Sequence, residues 1–346
     1  MAKKKSSSTN IFARIFRRYF IDAMSAMALG LFSSLIIGTI MNLIGRIPGC
    51  EVLSTLASTI TDSSSVVTGA AIGAAVAWGL KQKPLVIFSS VSVGAIAYAA
   101  GGGPVGAYVA AVVGAELGGL VSGRTKLDII LSPLLTIVPG GLMGLFVGPY
   151  LNDFMRMLGN MVNTTTEWAP FPMGIAVSVI VGMVLTAPIS SAALCISIGI
   201  DGLAAGAAAV GCSAQMIGFA VASYRDNGVG GLLSQGIGTS MLQFGNILRR
   251  PQIWIAPTLA SAILGPISTC LLKMTNTSVG AGMGTSGFVG QFGAIDAMSG
   301  QQPFLWTLIE ILVMHFLLPA VLTLGIDAIF RRAGWIKPGD MTIDRG

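Results

Sequence analysis

Charge is what this sequence has least of. Only 10% of its 346 residues are Asp, Glu, Lys or Arg, against 53% hydrophobic, where a soluble domain carries about 25% charged residues. So little charge cannot coat a water-facing surface. Histidine occurs once, as His315, so a phosphohistidine relay in this chain would have to use that residue, inside an apolar run. The four cysteines, Cys50, Cys195, Cys212 and Cys270, show no C-x-x-C spacing, which points away from metal and disulfide use. No Ser-His-Asp arrangement or metal cluster is visible. The expectation is therefore no catalytic residue, no metal and no cofactor.

What is present is apolar sequence in runs of about 15–28 residues, long enough to cross a hydrocarbon core of about 30 Å at about 1.5 Å per helical residue. A β-barrel would need strictly alternating segments of about 10 residues, and these are missing. The fold class predicted is an all-α polytopic membrane protein. Apolar spans lie near 19–45, 63–80, 84–100, 104–122, 127–151, 173–187, 188–201, 203–223, 252–273 and 303–330, which makes about ten transmembrane helices. A polar loop is expected over 152–172. The glycines number 46. Pairs such as Gly69/Gly73, Gly114/Gly118, Gly140/Gly144/Gly148 and Gly202/Gly206 have the small-xxx-small spacing that lets helices approach closely, and packing within one bundle is preferred over a dimer seam.

The formal charge of +6 is placed at the ends of spans, which argues for a membrane rather than nucleic acid. Lys3, Lys4, Lys5, Arg14, Arg17 and Arg18 precede the first run; Arg331, Arg332 and Lys337 follow the last. Lys81, Lys83, Arg124, Lys126, Arg225 and Arg249–Arg250 fall on the same side in a ten-span layout. By the positive-inside rule both termini are cytoplasmic. The first run is too long for a signal-peptide core, so it is expected to be retained. Three regions result: a basic tail over 1–18, a transmembrane domain over 19–330 and a C-terminal tail over 331–346. Segment 228–247 must leave and return on one side, so it is expected to be re-entrant or interfacial.

The two halves echo each other. "KPLVIFSSVSVG" (83–94) is similar to "APISSAALCISIG" (187–199), "PVGAYVAAVVG" (104–114) to "AVGCSAQMIG" (209–218), and "LSPLLTIVPGGLMG" (131–144) to "IAPTLASAILGPIS" (255–268). Two four-span repeats follow, 63–151 and 173–273. The span count gives them the same orientation; one miscounted short span would invert them, the commoner arrangement in transporters.

Gly282, Gly284 and Gly287 spell G-x-G-x-x-G in "SVGAGMGTSGFVGQFG" (278–293). A dinucleotide fingerprint needs a strand before it and a βαβ unit around it, and here a membrane span precedes. The preferred reading is a non-helical re-entrant segment; the competing one is an external loop. Its Thr285, Ser286 and Gln291, with Gln215, Gln235 and Gln243 elsewhere, are neutral polar groups suited to a small polar solute. Single helix–helix hydrogen bonds would explain each alone, and their clustering less well. Glu116 and Glu310 lie within spans, where an ionised side chain costs about 2.5–3.5 kcal/mol; site, ion pathway and interhelix hydrogen bond all remain open for them. Glu310 and His315, five residues apart, fall on different helix faces.

The stretches "TAPISSAALCISIGIDGLAAGAAAVGCSAQMIGFA", "GGLLSQGIGTSMLQFGNILRRPQIWIAPTLASAILGP" and "GAGMGTSGFVGQFG" resemble the second IIC-type family of phosphotransferase-system membrane subunits, the group that includes putative perfringolysin regulators. The resemblance covers about residues 20–330. It implies a ten-span domain with re-entrant hairpins in a bacterial cytoplasmic membrane, often a homodimer, that moves a solute while separate IIA and IIB proteins carry out phosphorylation. The G-I-T-E hairpin motif of glucose-type IIC proteins is absent; "GMGTSG" occupies a comparable late position without the carboxylate. The leading functional expectation is a transporter of a small polar solute. The alternative is a membrane-embedded sensor that binds a ligand without moving it. An enzyme acting on lipid ranks third, for want of a nucleophile–base pair.

Overall fold

The structure is a computed structural model and describes residues 14–62, 65–187 and 189–343. Lys3, Lys4 and Lys5 lie outside the described residues. Every regular element among the described residues is helical; the bridges Gly202–Asn276 and Ser299–Gln302 are isolated pairs. Helix is what a lipid-spanning backbone without sheet closure requires, because each amide must find its partner within its own segment. The chain divides into two units, residues 1–156 and 157–346.

The first unit holds α1 (Arg14–Ile44), α2 (Glu51–Thr61), α3 (Val67–Gly79), α4 (Pro84–Ala99), α5 (Gly103–Val121), α6 (Asp128–Phe146) and the start of α7 (Gly148–Trp168). Pro84 and Pro104 stand in the first turns of α4 and α5, where a missing N–H costs nothing. Helices α3 to α6 pack through glycine. A Cβ on Gly73 would strike the Ser90 carbonyl, and one on Gly94 the Gly69 carbonyl. A Cβ on Gly114 would lie 2.6 Å from the Thr136 carbonyl oxygen. The spacing read as intrabundle packing therefore does that work at Gly69, Gly73 and Gly114.

The second unit continues α7 and adds α8 (Pro170–Thr186), α9 (Ser191–Ile198), α10 (Gly202–Ala222), α11 (Tyr224–Leu233), α12 (Phe244–Arg249), α13 (Pro251–Leu272), α14 (Ser278–Ala281), α15 (Val289–Met298) and α16 (Phe304–Arg332). Helix α10 is its hub. Every α10 residue except Gly202, Leu203, Ile217 and Val221 is buried. Its Ala-Gly-Ala sequence fits, because a helix enclosed by other helices needs small side chains all round. Gly182 of α8 meets the Gly211 backbone, and the Ser178 hydroxyl donates to the Ser261 carbonyl of α13 at 2.8 Å.

Helices α1, α5, α6, α10, α13 and α16 are long and apolar enough to cross a membrane; α3, α4 and α8 are apolar but shorter. The chain is an all-α polytopic membrane protein. Two segments differ from their sequence readings. Residues 152–172, expected as a loop, are mostly helix, because α7 runs unbroken to Trp168 before Pro170. Polarity misled there: the helix is amphipathic, with Val162 packed on a core and Met157 and Met161 exposed. Residues 188–201, read as a span, hold only the eight-residue α9, about 12 Å long. Gly199 in the left-handed region (φ +74°) ends it.

Candidate functional site

Among the interruptions of helix in the second unit, which include a kink at Gly228 (φ +63°) inside α11, three come together, and each of these has a local cause. The first flanks α9: the Ser190 hydroxyl caps its start by accepting the Ala193 N–H at 3.1 Å, and Gly199 closes its end. The second separates α11 from α12. A wide π-turn over Ser234–Gly238 gives way to extended Thr239, whose hydroxyl accepts the Met241 N–H at 3.1 Å and starts a short 3-10 turn. The third is the glycine segment. It is helix, break, helix, with Gly284, Gly287 and Phe288 at φ of +51°, +52° and +60°. No strand precedes it, so the G-x-G-x-x-G string has no dinucleotide-binding context.

The three interruptions meet around α10. The Thr285 hydroxyl donates to the Gly236 carbonyl at 2.6 Å and lies 3.6 Å from Met216 Sδ. The Ser286 hydroxyl donates to the Gly238 carbonyl at 2.9 Å. Both acceptors sit where the π-turn ends, in the stretch where helical carbonyls lose their onward partners. From the other side the Ser191 hydroxyl donates to the Gly282 carbonyl at 2.6 Å. Gly284 lies against α10 so closely that a Cβ would come 2.6 Å from the Cys212 carbonyl carbon. Asn276 ties the entry of the glycine segment to its second arm by donating to the Gly290 carbonyl at 2.9 Å.

The predicted carboxamides fall into three groups in this unit. Gln215 of α10 donates to Thr258 Oγ1 at 3.1 Å, and its Oε1 accepts from Trp254 Nε1 at 3.1 Å and from Thr186 Oγ1 at 3.4 Å. Thr186 in turn meets Ser240 Oγ at 2.8 Å. Gln235 donates to Ser223 Oγ at 2.7 Å and to the Gly231 carbonyl at 2.9 Å, and accepts from Gln243 at 3.0 Å. Gln291 Nε2 lies 2.8 Å from His315 Nδ1, and both residues are buried. Gln291 Oε1 is buried without a hydrogen-bond partner. Apart from His315, every side chain in these contacts is a hydroxyl, a carboxamide, an indole or a thioether.

The two predicted carboxylates stand elsewhere. Glu310 accepts from Gln302 Nε2 at 2.8 Å, so Glu310 and His315 each have a partner of their own. Glu116 belongs to the first unit, where its Oε1 takes Arg18 Nη2 at 2.7 Å and the Tyr19 hydroxyl at 3.2 Å. Cavities open in both units. One of about 750 Å³ in the first unit is lined by Arg17, Asp22, Trp78 and Lys81, and by none of the predicted residues. Among the described residues no three His, Cys, Asp or Glu side chains come together as a metal site.

Sequence reasoning missed Thr186, Ser223, Ser240, Thr258 and Trp254, which carry no signal beyond being polar within apolar sequence. It also missed a strap. Residues beyond α16 fold back so that Ile336 and Met341 enter a core with Phe219, Ile247 and Ile253. The Met341 carbonyl accepts from Asn227 at 2.8 Å and from Gln243 at 2.9 Å, and the Thr342 carbonyl accepts from Asn246 at 2.9 Å. Asp226 accepts the amides of Gly339 and Met341 at 3.1 and 3.3 Å. Ile336 and Met341, two aliphatic residues in a polar tail, were the available clue.

No curated protein matches the sequence. The family described as "Phosphotransferase system, EIIC" matches residues 21–343. That stretch takes in both units, the three interruptions and the strap as far as Ile343, and with this match the chain belongs to the EIIC family of the phosphotransferase system.

Proposed function

We propose that this chain translocates a small polar solute and that the solute is bound where the three helix interruptions of the second unit meet. One observation carries the reading. Hydroxyls on the glycine segment hold the carbonyls of the π-turn, at Thr285–Gly236 and Ser286–Gly238. Irregular backbone at membrane depth is tolerated only where it is enclosed by protein or lines a wet path. Two irregular segments bound to each other by a few hydrogen bonds can exchange those bonds for a solute's hydroxyls. Gln291, with an unpartnered Oε1 beside His315, and Gln215 are the nearest further candidates for contacts. Gln235 and Gln243 brace the π-turn from the strap side. Glu310 and Glu116 fit better as structural partners of Gln302 and Arg18.

On this reading the chain performs no phosphoryl transfer itself. His315 is enclosed in α16, and the phosphate comes through separate IIA and IIB proteins. The chain works as a homodimer in a bacterial cytoplasmic membrane. Residues 19–330 form the transport domain, and tail 1–18 and segment 331–346 both face the cytoplasm. The test is uptake by the purified chain in proteoliposomes, with a panel of labelled small polar solutes, with and without IIA and IIB proteins. Accumulation of one solute class supports transport. Saturable binding without accumulation under either condition overturns it in favour of a sensor.

A further inference from the structure

Two cavities in the second unit share a wall. One, of about 540 Å³, is lined by Tyr224, Arg225, Asp327, Arg331 and Arg332 at the end of α16. The other, of about 480 Å³, is lined by Ile217, Leu233, Ile237, Leu312, Phe316 and other apolar residues. Val221 and Leu232 line both. A cationic recess therefore continues into an apolar groove along membrane-spanning helices. We infer that this pair of cavities is a binding site for one anionic phospholipid, with its phosphate among the arginines and an acyl chain in the groove.

The charges fit that occupant. Three guanidinium groups line the recess against one carboxylate. Arg331 is committed to the protein: its Nε holds Asp327 Oδ2 at 2.6 Å and its Nη2 donates to the Ala222 carbonyl at 3.0 Å. Arg225 and Arg332 are exposed, and no described hydrogen bond or ion pair joins either guanidinium to another residue. Neither is held by a hydrogen bond, although Arg225 lies near enough to Asp327 to act on it through space, and these two can turn to a phosphate. Asp226, next to Arg225, faces the amides of the strap instead. Asp327 Oδ1 is buried without a partner, an acceptor for a headgroup hydroxyl, which favours a glycerol-type headgroup. Tyr224 and Trp335 are exposed close by in sequence, as expected of aromatic residues at a membrane–water boundary. Basic recesses between helices at that depth suit anionic headgroups. The groove also reaches Gly236 and Ile237. Its acyl chain would lie against the π-turn whose Gly236 carbonyl takes the Thr285 hydroxyl, so the lipid would buttress that turn.

The test is native mass spectrometry of the full chain released from mixed phosphatidylglycerol–phosphatidylcholine micelles, with melting curves in each lipid alone. We expect selective retention of phosphatidylglycerol and a higher melting temperature in it. Each exposed arginine near an anionic headgroup is worth about fivefold in affinity, so Arg225→Gln with Arg332→Gln should lower phosphatidylglycerol affinity about thirtyfold, leaving the melting temperature in phosphatidylcholine unchanged. Ala320→Trp, which fills the groove wall, should weaken diacyl lipid retention as well. Equal retention of both lipids, or an unchanged double variant, would overturn the site. Displacement of the lipid by soluble glycerol phosphate would overturn it too, by showing a small-phosphate site that does not need the groove.

Discussion

Both units use glycine to bring helices together, and the second adds glycine-rich breaks that hydrogen-bond to one another. In the first, Gly69, Gly73, Gly94 and Gly114 bring unbroken helices into backbone contact, and the seam carries few side-chain hydrogen bonds between helices. In the second, glycine also breaks helices, and hydroxyls and carboxamides take over the freed carbonyls. Close packing of continuous helices has little slack, because interiors are as dense as organic crystals. A junction held by hydrogen bonds of about 0.5–1.5 kcal/mol each can rearrange. On the function proposed above, the first unit is the scaffold and the junction in the second is the part that moves and binds solute.

The same substitution in each unit should break that contrast most visibly. Gly73→Val places a Cβ on the Ser90 carbonyl, where only backbone could yield. We expect a loss of about 4–5 kcal/mol or more, read as failure of the chain to accumulate in membranes as a monodisperse species by size-exclusion chromatography. Gly284→Val also collides with backbone, at Cys212 and Ser213, and sits at φ +51°. Its damage is confined to the junction, so the protein should insert and purify but neither bind nor transport solute. Gly325→Ala, which meets open space, is the control. If Gly73→Val purifies and transports normally, the first unit is not a packed scaffold.

Next comes the strap. Met341 is fully buried and its carbonyl ties down Asn227 and Gln243. Met341→Ala should cost about 2–5 kcal/mol by cavity formation, seen as a lower melting temperature. Transport should fall with it, because Gln243 holds Gln235 under the π-turn. Full transport in a variant with a lowered melting temperature would separate the strap from the junction and leave it a purely structural tie.

How much of this was legible beforehand follows from which forces act locally. Hydropathy is local, so α1, α5, α6, α10, α13 and α16 match runs visible in the sequence. The glycine cluster at 278–293 marked non-helical backbone for the same reason, since backbone freedom is a property of the residue, whereas the re-entrant or interfacial reading of 228–247 rests on the span count. The eight-residue α9 and the helical stretch 152–168 were misread, because an apolar run can stop short of a crossing and a polar one can still be amphipathic. The pairing of Thr285 with Gly236, 49 residues away, had no sequence signal, since a carbonyl acceptor has no side-chain identity. The strap was hidden likewise: its bonds are made by the carbonyls of Met341 and Thr342.

A milder change tests the junction itself. Thr285→Val keeps the side-chain shape and removes the hydroxyl that holds the Gly236 carbonyl at 2.6 Å. A buried acceptor left without its donor costs about 1–3 kcal/mol, equivalent to between about fivefold and a hundredfold in solute affinity. Ser286→Ala, at a half-buried position, should cost less, because water can reach the Gly238 carbonyl. Equal effects of the two would mean that the depth of the contact does not matter, and that the glycine segment behaves as an external loop.

The smallest effect is expected at Glu116, and it bears on the contrast from the first unit's side. Sequence alone placed a carboxylate in mid-span, which made it a suspect for solute or ion binding. The structure pairs it with Arg18 at 2.7 Å, with the two side chains 42% and 32% exposed for Arg18 and Glu116. An exposed pair of this kind is worth about 0–1 kcal/mol, and the Tyr19 hydroxyl at 3.2 Å can still donate to a carboxamide oxygen. Glu116→Gln should therefore shift the melting temperature by no more than a few degrees and change the uptake rate less than twofold, at low and high salt alike. Abolished uptake with unchanged solute binding would instead make Glu116 part of an ion pathway. The first unit would then share in the transport step, and the division into scaffold and moving part would have to be redrawn.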